Sequence, residues 1–145
     1  MEPKFEVQLK IRKPVADVFD AVVRPERLKG YFVQSSTGPL AQGATVTWSF
    51  AEAPAPFDVV VKEVVANERI VFEWPGGKGY DTRVWMTFKP IDAQNTMVQI
   101  SEGGWRDDPE GIKSSYGNAA GWMHMMLSLK GYLEYGINLR EGGAF

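Results

Sequence analysis

The sequence contains no cysteine. This removes disulfide staples, thiolate nucleophiles and Cys-ligated zinc or iron–sulfur centres together, and it favours a reducing compartment, with the cytoplasm as the expected location. Histidine is almost as scarce. His124 stands alone, so neither a multi-histidine metal site nor a pair of histidine acid–base groups is available, and no metal or other cofactor is expected. Charge of one sign is missing too: sixteen Lys+Arg stand against eighteen Asp+Glu, a net charge of -2, scattered along the chain. A nucleic-acid partner would lack its usual electrostatic footprint. No apolar run approaches the ~18–20 residues that cross a bilayer, and the opening MEPKFEVQLK has no apolar stretch of signal-peptide length. Neither a membrane span nor export is expected.

What is present suits one folded domain over residues 1–145. Of the 145 residues 44% are hydrophobic, and a fold of this size buries roughly 68–70% of the surface its unfolded chain exposes, so an apolar core forms without staples. Phe5, Val7, Leu9 and Ile11 alternate with polar residues and predict a strand with one wet face. Pro14 and the helical spacing of Val15, Val18, Phe19 and Val22 predict a helix over 14–23, and Pro25 opens a shorter turn of helix through Leu28. The Ser, Thr, Gly and Pro of 35–43 read as loop.

Five more strands follow, four by the same alternation and Phe57 to Val65 by its β-branched residues. They are centred on Val46 to Phe50, Phe57 to Val65, Ile70 to Trp74, Val84 to Phe88 and Val98 to Glu102. PGGKGY reads as a mobile hairpin loop, and WRDDPEGIKSSYGN as a loop or an irregular helix start. Trp122, Met126, Leu129, Leu133 and Ile137 then mark a long amphipathic helix over 119–139, ended by Gly142-Gly143. The order predicts an α+β fold whose antiparallel meander is covered on its apolar face by the last helix.

The order and spacing of these pieces resemble the START-like, or SRPBCC, helix-grip superfamily. Within it they are similar to stand-alone domains of the activator of Hsp90 ATPase homolog 1-like group. The resemblance is carried by Ile11-x-x-Pro14-x-x-x-Val18-Phe19-x-Ala21, Pro25-x-x-Leu28-x-x-Tyr31-Phe32, Val61-Lys62-Glu63-Val64 leading to Glu68-Arg69-Ile70-Val71-Phe72-Glu73-Trp74, Gly121-Trp122 and Leu129-Lys130-x-x-Leu133-Glu134. Tyr31 stands where that group usually has Trp. The resemblance implies a START/Bet v 1-like fold: a curved six-stranded antiparallel sheet, two short helices after the first strand, a long C-terminal helix gripped by the sheet, and a cavity between. Relatives of this kind bind or transform apolar molecules or act as co-chaperone domains, so the fold alone selects no activity.

With the helix across the sheet, the inward parity places Trp48, Phe50, Phe72, Trp74, Met86, Phe88 and Ile100 opposite Trp122, Met123 and Met126. Such a set lines a pocket for an apolar or aromatic ligand, or is plain core. Glu102 shares the inward parity of Val98 and Ile100. A carboxylate there needs Arg83 or Arg106 as a partner, or a bulge at Gly103-Gly104 that turns it to solvent. Paired or desolvated, it could orient a ligand's polar group, or the pair could be a structural ion pair; it is also the candidate general acid–base residue of a cyclase or hydrolase. Tyr80, Trp105 and Tyr116 sit on loops near that end, as a lid or as partly exposed aromatics. His124 is expected on the rim, and Ser128, four residues on, lacks the third member of a nucleophile triad. Asp107, Asp108 and Glu110 do not match a calcium loop.

The leading expectation is a non-enzymatic domain that encloses a hydrophobic small molecule, with Tyr116 and Glu102 at the polar end. The alternatives are a chaperone partner of the Hsp90 type, implied by the resemblance, and a cofactor-free enzyme using Glu102. Trp85, on an outward parity, offers a contact for a homodimer.

Overall fold

In the computed structural model, which describes residues 2–144, the opening alternation becomes strand β1, Lys4–Ile11. Helix α1, Val15–Val23, starts just after Pro14 and buries Val18, Phe19, Ala21 and Val22. Helix α2 is a single turn, Pro25–Leu28, opened by its proline. Six strands follow: β2 at Ser35–Ser36, β3 at Thr45–Ser49, β4 at Phe57–Val65, β5 at Arg69–Gly77, β6 at Tyr80–Asp92 and β7 at Asn95–Gly103. Helix α3, Pro109–Tyr135, is the last element.

All strands form one antiparallel sheet in the order β1-β7-β6-β5-β4-β3-β2. The chain is a meander whose first strand returns to pair with the last, and α3 packs along β1, β5 and β7. This is the α+β helix-grip arrangement, with seven strands in place of the six expected. The added strand, β2, is two serines opposite Ser49 and Trp48. It lies in a stretch whose composition marks a loop. Backbone bonds such as Gln34 N–H to Ser49 O make this pairing, so no burial alternation announces it.

The boundaries of α3 also depart from the periodicity. The helix starts ten residues before Ala119, because Asp108 caps it by accepting from the Gly111 N–H at 2.7 Å and Pro109 occupies its first turn. The missing N–H of proline and the cap together outweigh the poor propensity of the glycines and serines that follow. The helix ends at Gly136, whose φ of 66° is left-handed and whose N–H returns to Tyr132 O. Ile137, expected on the stripe, and Leu139, the expected last residue, therefore lie past the helix. The tail folds back, and the bare Cα of Gly131 leaves room for Leu139.

Candidate functional site

Along β7 every second residue from Thr96 to Glu102 is buried, so the parity that points Val98 and Ile100 into the core carries Glu102 in with them, only 1% exposed. Three elements bring donors to its carboxylate. Oε2 accepts from Trp74 Nε1 of β5 at 2.9 Å and from Thr82 Oγ1 of β6 at 2.5 Å, and Oε1 accepts from Trp122 Nε1 of α3 at 2.8 Å. Asn118 Nδ2, one helical turn before Trp122, reaches both oxygens at 3.1 Å. An indole nitrogen can only donate, so the shell is complementary to a carboxylate and satisfies a group whose burial would otherwise be costly.

Among the described residues no cation takes part, against the expectation of Arg83 or Arg106. Arg83 donates to Glu73 Oε2 at 2.7 Å, and Arg106 lies over the Tyr80 ring at 4.5 Å. Nor does a bulge turn Glu102 outward: it stays in register opposite Val84, and the positive φ falls later, at Gly104. A close approach defends the cluster. A Cβ at Gly76 would fall on Thr82 Oγ1, the hydroxyl that donates to Glu102.

In front of this cluster lies an open cavity of about 220 Å³. Its apolar walls are Phe32, Phe50, Phe57, Trp74 and Trp122, and its polar groups are Glu52, Asn118 and Arg140. Glu102 is not in these walls. It stands behind Trp74, Trp122 and Asn118 and fixes all three. Gly117 and Gly121 present bare helix here, with nothing within 4 Å of where either Cβ would be.

Arg140, from the tail after α3, closes the far rim. Its side chain is 11% exposed, Nη1 lies 3.3 Å from Phe32 O and 3.7 Å from Glu52 Oε2, and the guanidinium sits 5.1 Å from the centre of the Phe32 ring. Burial lowers its pKa against the opposing pull of Glu52. Beyond Phe32, Glu52 and Arg140 is a second cavity of about 250 Å³ that shares these three residues as a wall. A third space, a groove of about 930 Å³ with a charged lining that includes Lys4, Glu6, Glu73 and Arg83, runs beside Trp85 where β1, β6 and β7 meet, and Phe5, Thr82 and Glu102 also border it.

Residues 12–134 match the family model described as activator of Hsp90 ATPase homolog 1-like protein. The chain belongs to this family. Protein SSP2350 from Staphylococcus saprophyticus shares 28% identity with it at a TM-score of 0.80, over 97% of either chain. DynU16, from the dynemicin biosynthetic locus, shares 25% at a TM-score of 0.82, over 94% of this chain and 49% of its own. The Aha1 dimer from Colwellia psychrerythraea, at 18% identity and a TM-score of 0.76 over 92% of this chain and 97% of that one, shares the fold. Among proteins with curated descriptions none matches.

In this member of the activator-like family, Phe50, Trp74 and Trp122 stand in the cavity wall. Trp48, Phe72, Met86, Phe88, Ile100 and Met126 are buried and fill the space between sheet and helix. That filling keeps the cavity below the roughly 300 Å³ at which ordinary ligand pockets begin. Met123 packs against the edge of the core, and Tyr116 projects to solvent, 71% exposed, away from the cavity. Trp105 is buried with its Nε1 on Gly76 O at 2.7 Å, closing the end of β5 and forming no lid. His124 is half-buried, with Nδ1 at 3.5 Å from both Ser128 Oγ and Arg140 Nη2.

Sequence reasoning passed over Thr82, Asn118, Phe32, Phe57, Glu52 and Arg140. Two of these had a signal: Thr82 shares the parity of Val84 and Met86, and Asn118 precedes Trp122 by one helical turn.

Proposed function

We propose that this protein binds a small, predominantly apolar molecule in the open cavity beside α3, without catalysis. The observation that carries the reading is the Glu102 cluster. A buried carboxylate and four donors hold two tryptophans and an asparagine in the wall of a space that the surrounding side chains do not fill. Aromatic walls with few polar groups suit apolar recognition, and fixed walls lower the ordering cost of binding. Glu102 serves as a positioning residue, since its oxygens are engaged by protein donors and it does not face the cavity.

A screen of apolar and aromatic probes tests this. Binding quenches Trp fluorescence through Trp74 and Trp122 and raises Tm by mass action, by an amount that grows with probe concentration. A panel that produces neither effect refutes the reading. The family description favours a second reading, contact with an Hsp90-type ATPase; addition of this protein would then change the ATP hydrolysis rate of the chaperone, and an unchanged rate removes it.

A further inference from the structure

We infer that the ligand class is a planar aromatic carrying an O–H or N–H donor, which it gives to Asn118 Oδ1. The inference rests on the reading of the cavity as a ligand site. A side-chain amide has one donor end and one acceptor end, and here chemistry fixes which is which. Glu102 accepts from three other donors, and both its oxygens take Asn118 Nδ2. The acceptor end is therefore the one turned away from Glu102, on a residue that lines the cavity, and among the described residues none donates to it.

The same cluster removes the two indole donors from the wall. The Nε1 groups of Trp74 and Trp122 are spent on Glu102, so these tryptophans offer a guest their π faces and no N–H. Glu52 and Arg140 face each other across the far rim at 3.7 Å, and their opposite charges favour neither an anion nor a cation. A guest that stacks on the aromatic wall and brings no donor leaves Oδ1 desolvated, at a cost. A volume of about 220 Å³ restricts the guest to one or two fused rings.

Indole and benzofuran test this, because they have nearly the same shape and differ in whether the five-membered ring carries N–H or ether oxygen. Each is titrated into ¹⁵N-labelled protein, and binding is read from the indole N–H resonances of Trp74 and Trp122. Indole is expected to bind roughly 3- to 10-fold more tightly, the range of one net hydrogen bond. Asn118→Ala should bring the two to within about twofold, with both still bound. Glu102→Gln, if it folds, should relax the preference in the same way, because a Gln amide can donate to Asn118 and let its amide turn over. Equal affinities for the native protein, or a preference for benzofuran, overturn the inference and leave an apolar site standing. If neither probe moves the Trp74 and Trp122 resonances, the inference and the proposed function fall together.

Discussion

Replacing Glu102 by Gln removes one charge and almost no volume, so its cost measures what the carboxylate contributes to the cluster. Gln supplies one acceptor oxygen where Glu supplies two. Its best placement puts that oxygen where Trp74 and Thr82 donate, which sets its amide nitrogen against Trp122 Nε1. Asn118 can recover by turning its amide, but Trp122 cannot, because an indole N–H has no acceptor face. One buried donor is left unpaired, at about 1–3 kcal/mol, and the surviving bonds lose their charge assistance. After the smaller desolvation cost of a neutral side chain is credited, the net loss is about 2–4 kcal/mol. For a chain of this length that lowers Tm by roughly 6–16 °C. Urea unfolding followed by Trp fluorescence, with calorimetry, measures it against Glu73→Gln, a partly exposed partner of Arg83 expected to cost about 0–1 kcal/mol. A cycle with Trp122→Phe isolates the mechanism, since removing the confronted N–H should make Glu102→Gln cheaper by about 1–2 kcal/mol. If Glu102→Gln costs no more than the surface control, or if the cycle shows no coupling, the buried carboxylate does not organise this wall.

Gly76→Ala should drive the Thr82 hydroxyl off Glu102 and disturb the Gly76 O to Trp105 Nε1 bond; a loss of about 1–3 kcal/mol in urea is expected, and an unchanged midpoint contradicts the close approach. Arg140→Ala should join the two cavities of about 220 and 250 Å³ that Arg140 helps to separate, so three-ring probes too large for the native protein gain affinity while indole changes little; no gain for the larger probes refutes the partition. For His124, burial first and the charge of Arg140 second push the pKa below its ordinary 6.5, against Glu52. The folded state then binds fewer protons than the unfolded one, so stability is full above about pH 6.5 and falls as pH drops through that value; His124→Gln should flatten this limb in a series of melting curves. For Glu134, burial pushes the pKa up but is outweighed by hydrogen bonds from the Arg12 N–H and from the Lys130 and Arg12 side chains, which hold it at about 2. Its contribution is present above the ordinary 4.5 and is lost as pH falls from there toward 2, and Glu134→Gln should lose the corresponding part of the acid slope.

How much of this was legible depends on whether a feature rests on side-chain periodicity or on pairing between distant elements. The alternation in β1, β3, β6 and β7 is written residue by residue, because a half-buried strand must present apolar groups at period two. It also carried Glu102 inward against its own polarity, and that placement agrees with its burial. The partners of Glu102 were not legible in the same way. Charge reasoning sends a buried carboxylate to arginine, whereas three elements converge here with neutral donors, and only their assembly shows that Trp74, Thr82, Asn118 and Trp122 meet at one point. The start of α3 was misjudged for a local reason: two glycines and two serines argue against a helix, while one aspartate and one proline at the right positions start it.

That misjudged segment also explains where the cavity lies. Most of the sheet's concave face is filled by large side chains, Trp48, Phe72, Met86 and Met126 among them, and the opening falls against the helical stretch read as a loop or an irregular helix start. Once residues 109–118 are helical, Gly117 and Gly121 lie four apart on one face, and their missing side chains leave a strip of helix facing Phe50 and Phe57. Asn118 is next to the first of these glycines and one turn before Trp122, so the same turn of helix that makes the space also supplies its amide and its indole wall. Filling the strip therefore separates binding from folding. Gly121→Leu should retain the Glu102 bonds and the stability of the fold, since nothing lies within 4 Å of where its Cβ would sit, and should abolish the probe-induced shifts of Trp74 and Trp122. A Gly121→Leu protein that binds indole as the native one does would place the guest elsewhere.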